Sequence, residues 1–234
     1  MSDRIRLAVI GDGKMGRALA SLAEAHGFDT VALLGEAQVR PLGITRSLLD
    51  DAQVAVEFTT PTSAAANVRG CLAAGVPVVC GTTGWDEARM VVEAEVRANG
   101  GGFLWAPNFS LGVHVFARLA EEAARLIAQA HAGFDAHLVE THHNQKLDAP
   151  SGTARMLAER MARGAGKTTP ITSVRVGNVP GTHTITFDAP FETITLEHTA
   201  RDRNVFASGA LTAAHWLVGK RGVFTLDDLM GTTA

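Results

Sequence analysis

The sequence predicts an α/β chain in two parts: a parallel, helix-flanked sheet, then an α+β unit on an open mixed sheet. Three observations predict it. Short apolar runs with β-branched residues recur through the first half, at residues 5–10, 30–34, 54–58, 76–80 and 103–106; such runs suit strands buried on both faces. An Ala/Leu-rich helical pattern from Leu111 to Ala130 ends that rhythm. Beyond it the pattern changes to alternation, at residues 134–140, 171–176, 183–187 and 191–198, as in half-exposed strands.

Composition narrows the class. Hydrophobic residues make up 46% of the 234 residues and charged residues 19%, which fits a folded globular chain. The net charge of −3 with no basic block argues against a nucleic-acid partner. No apolar run is long enough to span a bilayer, and the start runs into a strand pattern without the apolar region of a signal peptide. Cys71 and Cys80 each sit in an apolar run, which predicts buried reduced thiols and a cytoplasmic setting.

The first element, Ile5 to Ile10, runs directly into Gly11-Asp12-Gly13-Lys14-Met15-Gly16. Met15, Ala18, Leu19, Leu22 and Ala23 then recur at helical spacing, Gly27 closes the helix, and Thr30–Leu34 is a second strand. A strand, this glycine pattern, a helix and a strand together form a Rossmann-type dinucleotide fingerprint. The glycines tighten the turn and let a pyrophosphate approach the helix N-terminus. The adenosine end leaves the choice of cofactor open. Glu36 suits ribose hydroxyls, whereas Lys14 and Arg40 suit a 2′-phosphate, so NADH and NADPH both remain.

The stretch from Leu34 to Asp50 has little room for a crossover helix. Val54–Phe58 is the third strand, and Ser63 is expected to cap a helix to Ala74 that stops at Gly75. Val76–Cys80 is the fourth strand and leads into Gly81-Thr82-Thr83-Gly84. A helix follows from Asp86 to Ala98, with Val91, Val92 and Val96 available to its apolar face. Phe103–Ala106 is the fifth strand, followed by Pro107-Asn108-Phe109-Ser110. Ligands of open α/β sheets bind beyond the carboxyl ends of the strands. Phe58, Thr59, Gly81, Thr82, Thr83, Ala106, Pro107, Asn108 and Phe109 all lie at such ends and are candidate cofactor contacts, with Thr83 also in reach of a substrate.

The change of pattern puts a domain boundary near Ser110. A short Asp188-Ala-Pro190 link predicts an antiparallel hairpin whose strands carry Ile185, Phe187, Ile194 and Leu196. A helix from about Asn204 to Val218, the Gly219–Gly222 turn and a short terminal helix are expected to return to the first domain. The expected division is residues 1–110 with 204–234 for the dinucleotide, and 111–203 for substrate and oligomerisation.

Between strand and helix in the second part lies Glu140-Thr-His-His-Asn-Gln-Lys-Leu-Asp-Ala-Pro-Ser-Gly-Thr-Ala154. His142, His143 and Lys146 can all donate protons. Ser151 is a plausible N-cap of a helix running to about Arg163. Backbone N–H groups at Ser151, Gly152 and Thr153, with the Ser and Thr hydroxyls, would make a cradle for a carboxylate. A histidine pair is also common as one packed and one exposed ring. No third ligand at metal-site spacing accompanies it, so no metal is expected.

In this order, these motifs resemble the 4-hydroxy-tetrahydrodipicolinate reductases (dihydrodipicolinate reductases). The resemblance rests on Gly-Asp-Gly-Lys-Met-Gly at 11–16, Glu-Phe-Thr at 57–59, Gly-Thr-Thr-Gly at 81–84, Ala-Pro-Asn-Phe-Ser at 106–110 and the stretch at 140–154. Gly181–Thr184, Thr199–Arg203 and Trp216–Lys220 add to it. It covers nearly the whole chain, although the region after the second strand is abbreviated and His-His-Arg-His-Lys reads His-His-Asn-Gln-Lys.

The resemblance implies a two-domain, homotetrameric enzyme of the diaminopimelate and lysine pathway. Its reaction would be reduction by NADH or NADPH of the cyclic imine formed when 4-hydroxy-tetrahydrodipicolinate loses water. It implies His142 as acid/base, Lys146 as proton donor or electrostatic partner, and His143 on a carboxylate of a small dicarboxylate substrate. These groups would face the reduced ring across an interdomain gap. Arg203 would close over the cofactor or be a plain surface charge. Two other readings share the front half: a nicotinamide oxidoreductase acting on an amino acid such as aspartate, and a non-catalytic dinucleotide sensor.

Overall fold

A computed structural model describes residues 4–131 and 133–231. Met1–Asp3, Ala132 and residues 232–234, which the sequence assigns to its two domains, lie outside the described residues. The chain divides into two compact units, one running to Ser110 and resuming at Asn204, the other spanning Leu111–Arg203.

The first unit holds a six-stranded sheet in the order β10-β5-β4-β3-β1-β2, parallel throughout. The strands are β1 (Ile5–Ile10), β2 (Phe28–Leu34), β3 (Val54–Glu57), β4 (Val78–Cys80), β5 (Gly102–Trp105) and β10 (Gly222–Phe224). Strand order reverses between β1 and β3, the place where an open α/β sheet leaves a crevice. The helices are α1 (Lys14–Ala23), α2 (Glu36–Val39), α3 (Pro61–Ala73), α4 (Asp86–Asn99), α7 (Asn204–Leu217) and α8 (Leu226–Leu229). The inner strands β1, β3, β4 and β5 are largely buried on both faces, which is why they read as unbroken apolar runs.

Several elements differ from expectation for local reasons. The α3 helix starts at Pro61 behind Thr60, not at Ser63, because proline suits the first helical turn and holds its predecessor extended. Ser63 Oγ instead bonds to the Thr59 and Thr60 hydroxyls, at 3.0 and 2.8 Å. On α4 the apolar face is Val92 and Val96, one turn apart, and Val91 is 52% exposed. Strand β10 is too short to show alternation and pairs with β5 through Val223 and Phe103.

The second unit holds a four-stranded mixed sheet in the order β7-β6-β8-β9. Its strands are β6 (Asp135–His142), β7 (Ile171–Arg175), β8 (Thr182–Ala189) and β9 (Glu192–Thr199). The β6–β7 pair is parallel, joined through α6 (Gly152–Ala165); the β6–β8 and β8–β9 pairs are antiparallel. Helices α5 (Leu111–Ala130) and α6 pack on one face through Phe116, Ala120, Leu157 and Met161 against Leu138, Ile185 and Phe187. Ile194 on the edge strand β9 is 39% exposed. Among the described residues no helix is long and apolar enough to cross a membrane.

Candidate active site

In the first unit, two cavities open beside the strand-order reversal. The larger, about 630 Å³, is lined by Gly11, Asp12, Gly13, Glu36, Arg40, Phe58 and Thr59. The smaller, about 390 Å³, is lined by Gly13, Lys14, Met15, Phe58, Thr59, Gly81, Thr82 and Thr83. Gly13, Phe58 and Thr59 belong to both. The glycines explain the close packing here. A Cβ on Gly11 would stand 2.1 Å from the Phe58 carbonyl oxygen, and one on Gly16 would stand 1.7 Å from the Gly11 carbonyl oxygen. A Cβ on Gly13 would meet nothing within 4 Å, so the backbone there is open to a ligand at the α1 N-terminus. These residues therefore fit a dinucleotide.

The loops after β3, β4 and β5 are held from beneath. Glu57 is fully buried and accepts from Thr82 Oγ1 at 2.8 Å, Cys80 Sγ at 3.0 Å and the Thr59 hydroxyl. Thr59 N–H donates to Thr82 Oγ1 at 2.8 Å. Both Trp85 and Trp105 donate their indole N–H to the Thr82 carbonyl, at 2.8 and 2.9 Å. In the sequence Glu57 stands out only as part of a resemblance; its signal is a carboxylate closing an otherwise apolar strand. Ala106, Pro107, Asn108 and Phe109 line neither cavity. Phe109 is buried with its ring edge-on to Phe58, and the Asn108 side chain accepts from Ser110 N–H at 2.8 Å. Both cysteines are buried free thiols; burial and the nearby Glu57 push each thiol's pKa up.

The second unit assembles the other candidates at one end of its sheet. Register puts Glu140 opposite Ser173 on β7 and His183 on β8, and His142 opposite Arg175. Residues two apart on a strand share a face, so Glu140, His142, Arg175 and His183 form a polar end to the face that is otherwise apolar. His142 Nδ1 pairs with Glu140 Oε2. Arg175 Nη2 donates to Glu140 Oε1 at 2.7 Å. The His142 and His183 rings meet edge to face, with centroids 5.3 Å apart.

These neighbours set the ionisation. Burial alone would raise the Glu140 pKa, but hydrogen bonds from Arg175 and Ser173 and the charges of His142 and Arg175 hold it at about 2. Burial lowers His142 below its ordinary value, Glu140 works against that, and the charges of Lys146 and Arg175 reinforce it. Burial, then the positive neighbours His142, His198 and Lys146, lowers His183 to about 4, against the pull of Glu140.

His183 supplies a third ligand-type group that sequence spacing did not show: Glu140, His142 and His183 place ligand atoms within 4.8 Å of one another. The other carboxylate oxygen of Glu140 is already taken by Arg175 Nη2 and Ser151 N–H.

The loop after β6 ends at α6. Lys146 Nζ pairs with Asp148 at 2.8 Å. That hydrogen bond, opposed by slight burial and helped by the Asp148 and Gly152 backbone N–H groups, lowers the Asp148 pKa. Ser151 caps α6, its hydroxyl accepting from Ala154 N–H at 3.1 Å. Its own N–H donates to Glu140 Oε1 at 3.3 Å, so Ser151 faces inward and leaves the outer rim of the expected cradle to Gly152 and Thr153. A Cβ on Gly152 would meet nothing within 4 Å. Arg203, expected either over the cofactor or as a surface charge, has its Nη2 3.3 Å from His143 Nε2.

The parallel sheet, its strand-order reversal and the glycine-lined crevice define the class: a Rossmann-type dinucleotide-binding protein carrying a second, mixed-sheet unit. Residues 5–109 match the family described as dihydrodipicolinate reductase, N-terminus, and residues 112–230 match dihydrodipicolinate reductase, C-terminus. The chain belongs to the dihydrodipicolinate reductase family. It is 34% identical to the 4-hydroxy-tetrahydrodipicolinate reductase of Christiangramia forsetii, covering 97% of this chain and 98% of the relative. It is also 34% identical to the reductase of that name from Laribacter hongkongensis, covering 99% of each. Among solved structures it is similar to a dipicolinate-bound dihydrodipicolinate reductase from Paenisporosarcina, with TM-score 0.75, 26% identity and coverage of 95% and 97%. An engineered D-amino acid dehydrogenase bound to NADP+, at 17% identity and TM-score 0.54, shares the fold.

Proposed function

We propose that this chain reduces the cyclic imine derived from 4-hydroxy-tetrahydrodipicolinate to tetrahydrodipicolinate, a step of the diaminopimelate and lysine pathway, using NADH or NADPH. The single observation that carries the proposal is the grouping, between the end of β6 and the start of α6, of an imidazole, an ammonium and a helix tip that already holds a carboxylate, that of Asp148. The substrate is a small dicarboxylate, and the α6 tip at Gly152 and Thr153 suits one of its carboxylates. His143, with Arg203 beside it, suits the other. A reduced nicotinamide supplies hydride when bound in the crevice of the first unit, with Gly11–Gly16, Phe58, Thr59 and Gly81–Thr83 as its binding residues. Hydride addition leaves negative charge on the substrate ring, which takes up one proton. His142 as acid/base or Lys146 as donor supplies it, and the ammonium also stabilises the charge as it develops.

Membership of the family favours this reading over an amino-acid dehydrogenase or a non-catalytic sensor. The homotetramer is part of the same proposal. Helices cover one face of the second sheet, and the other face presents half-exposed Val139, Thr141, Thr184 and Thr186, open to a second copy. A cytoplasmic setting is likewise part of it.

Replacing Lys146 by alanine tests the mechanism. Turnover is expected to fall by about 10²–10⁴-fold while the dissociation constant for the reduced cofactor stays near wild type. A parallel loss of cofactor binding would contradict the role given to Lys146.

A further inference from the structure

One fully buried carboxylate on β6 has no role in the steps above. Glu140 lies two residues before His142 on the same face and has no exposed surface. Its two oxygens do different things. Oε2 faces His142 Nδ1 in an ion pair. Oε1 accepts from Arg175 Nη2 at 2.7 Å and from Ser151 N–H at 3.3 Å. Arg175 in turn donates to the backbone carbonyls of Lys146, at 3.2 Å, and Asp148, at 2.6 Å. One carboxylate thus reaches the imidazole, the N-cap of α6 and, through Arg175, the loop that carries the ammonium.

We propose that Glu140, braced by Arg175, is a positioning residue: it fixes His142 with a proton on Nδ1, so that Nε2 takes up and delivers the proton. An ionised carboxylate only accepts hydrogen bonds, so its partner nitrogen must carry the hydrogen. The other ring nitrogen then holds a lone pair when the ring is neutral. It points to Gly181, where a Cβ would stand 3.0 Å away. Gly181, at φ +156°, keeps that side of the ring clear. When Nε2 gains a proton the imidazolium sits against a carboxylate, the arrangement of an acid/base histidine oriented by a third group. The charged and titratable groups facing His142 are Glu140 and Lys146 from its own segment, Arg175 from β7 and His183 from β8, with His198 on β9 behind His183.

The inference rests on the proposed reduction for its kinetic part and stands apart from it for its structural part. In wild-type protein labelled with 15N-histidine, the neutral His142 ring is expected to show its proton on Nδ1. A proton on Nε2 would overturn the proposal, whatever the activity. Glu140→Gln keeps size and removes charge. Its kcat is expected to fall by about a hundredfold, with the Michaelis constants for both substrates within about twofold of wild type. The limb of the pH profile that reports His142 is expected to move to lower pH, because the carboxylate that favours imidazolium is gone. Glu140→Asp is expected to return that limb toward its wild-type position. An unmoved limb, or equal loss of turnover and cofactor binding, would mean that Glu140 only supports the fold. A wild-type chain that does not reduce the imine would remove the proposed reaction and leave the tautomer result to decide this inference.

Discussion

Glu36 and Arg40 line the same cavity with opposite charge, so a single substitution separates the two cofactors. A carboxylate accepts from a ribose 2′-hydroxyl and repels a 2′-phosphate. Glu36→Ala is therefore expected to raise the Michaelis constant for NADH by roughly tenfold, the worth of one hydrogen bond to a charged group, and to leave that for NADPH unchanged or lower. Steady-state kinetics with each cofactor checks this; equal effects on both would place Glu36 outside the site. His142, His143 and Lys146 were legible in the sequence because proton-handling residues in one short stretch before a helix start stand out by type. Glu140, Arg175 and His183 were not. They come from three strands, and only the β6–β7 and β6–β8 registers bring them together. Ser151 could be recognised as a cap, but not that its N–H turns inward to Glu140.

The N-terminus of α6 is the element most exposed to a direct test. A Cβ on Gly152 meets nothing within 4 Å, so Gly152→Val has room in the fold and fills only the approach to the tip. The variant is expected to keep a melting temperature within a few degrees of wild type, since surface changes cost at most about 0.5 kcal/mol. Its Michaelis constant for the substrate is expected to rise at least severalfold, and an unchanged value would contradict the tip as a carboxylate site. Most elements were legible, because buried parallel strands and the Ala/Leu pattern of α5 each carry a strong periodic signal. The exceptions had weak local signals. Three residues of β10 cannot alternate visibly, and α3 began where Pro61 permits rather than where a serine first offered a cap.

For the molecule as a whole, the polar end of the second sheet ties stability to pH. His183 titrates near 6.5 when unfolded and at about 4 when folded. Its burial therefore carries no ionisation penalty above pH 6.5, and stability falls as pH drops from there toward 4, by about 3 kcal/mol. Glu140 has the opposite shift, from 4.5 to about 2. It adds stability above 4.5 that is lost as pH falls toward 2. Urea unfolding across pH 7 to 4 is expected to show this decline, and His183→Gln is expected to flatten it; an identical slope in the variant would remove His183 as the cause. The broad division into a parallel front and a mixed-sheet remainder was legible because periodicity changes after Leu111. The most direct measurement is reduction itself, followed by loss of reduced-cofactor absorbance after purified wild-type protein meets freshly made 4-hydroxy-tetrahydrodipicolinate. Substrate-dependent oxidation of NADH or NADPH, reduced by about a hundredfold or more in Lys146→Ala, is the expected result; no oxidation of either cofactor by the wild-type chain would contradict it.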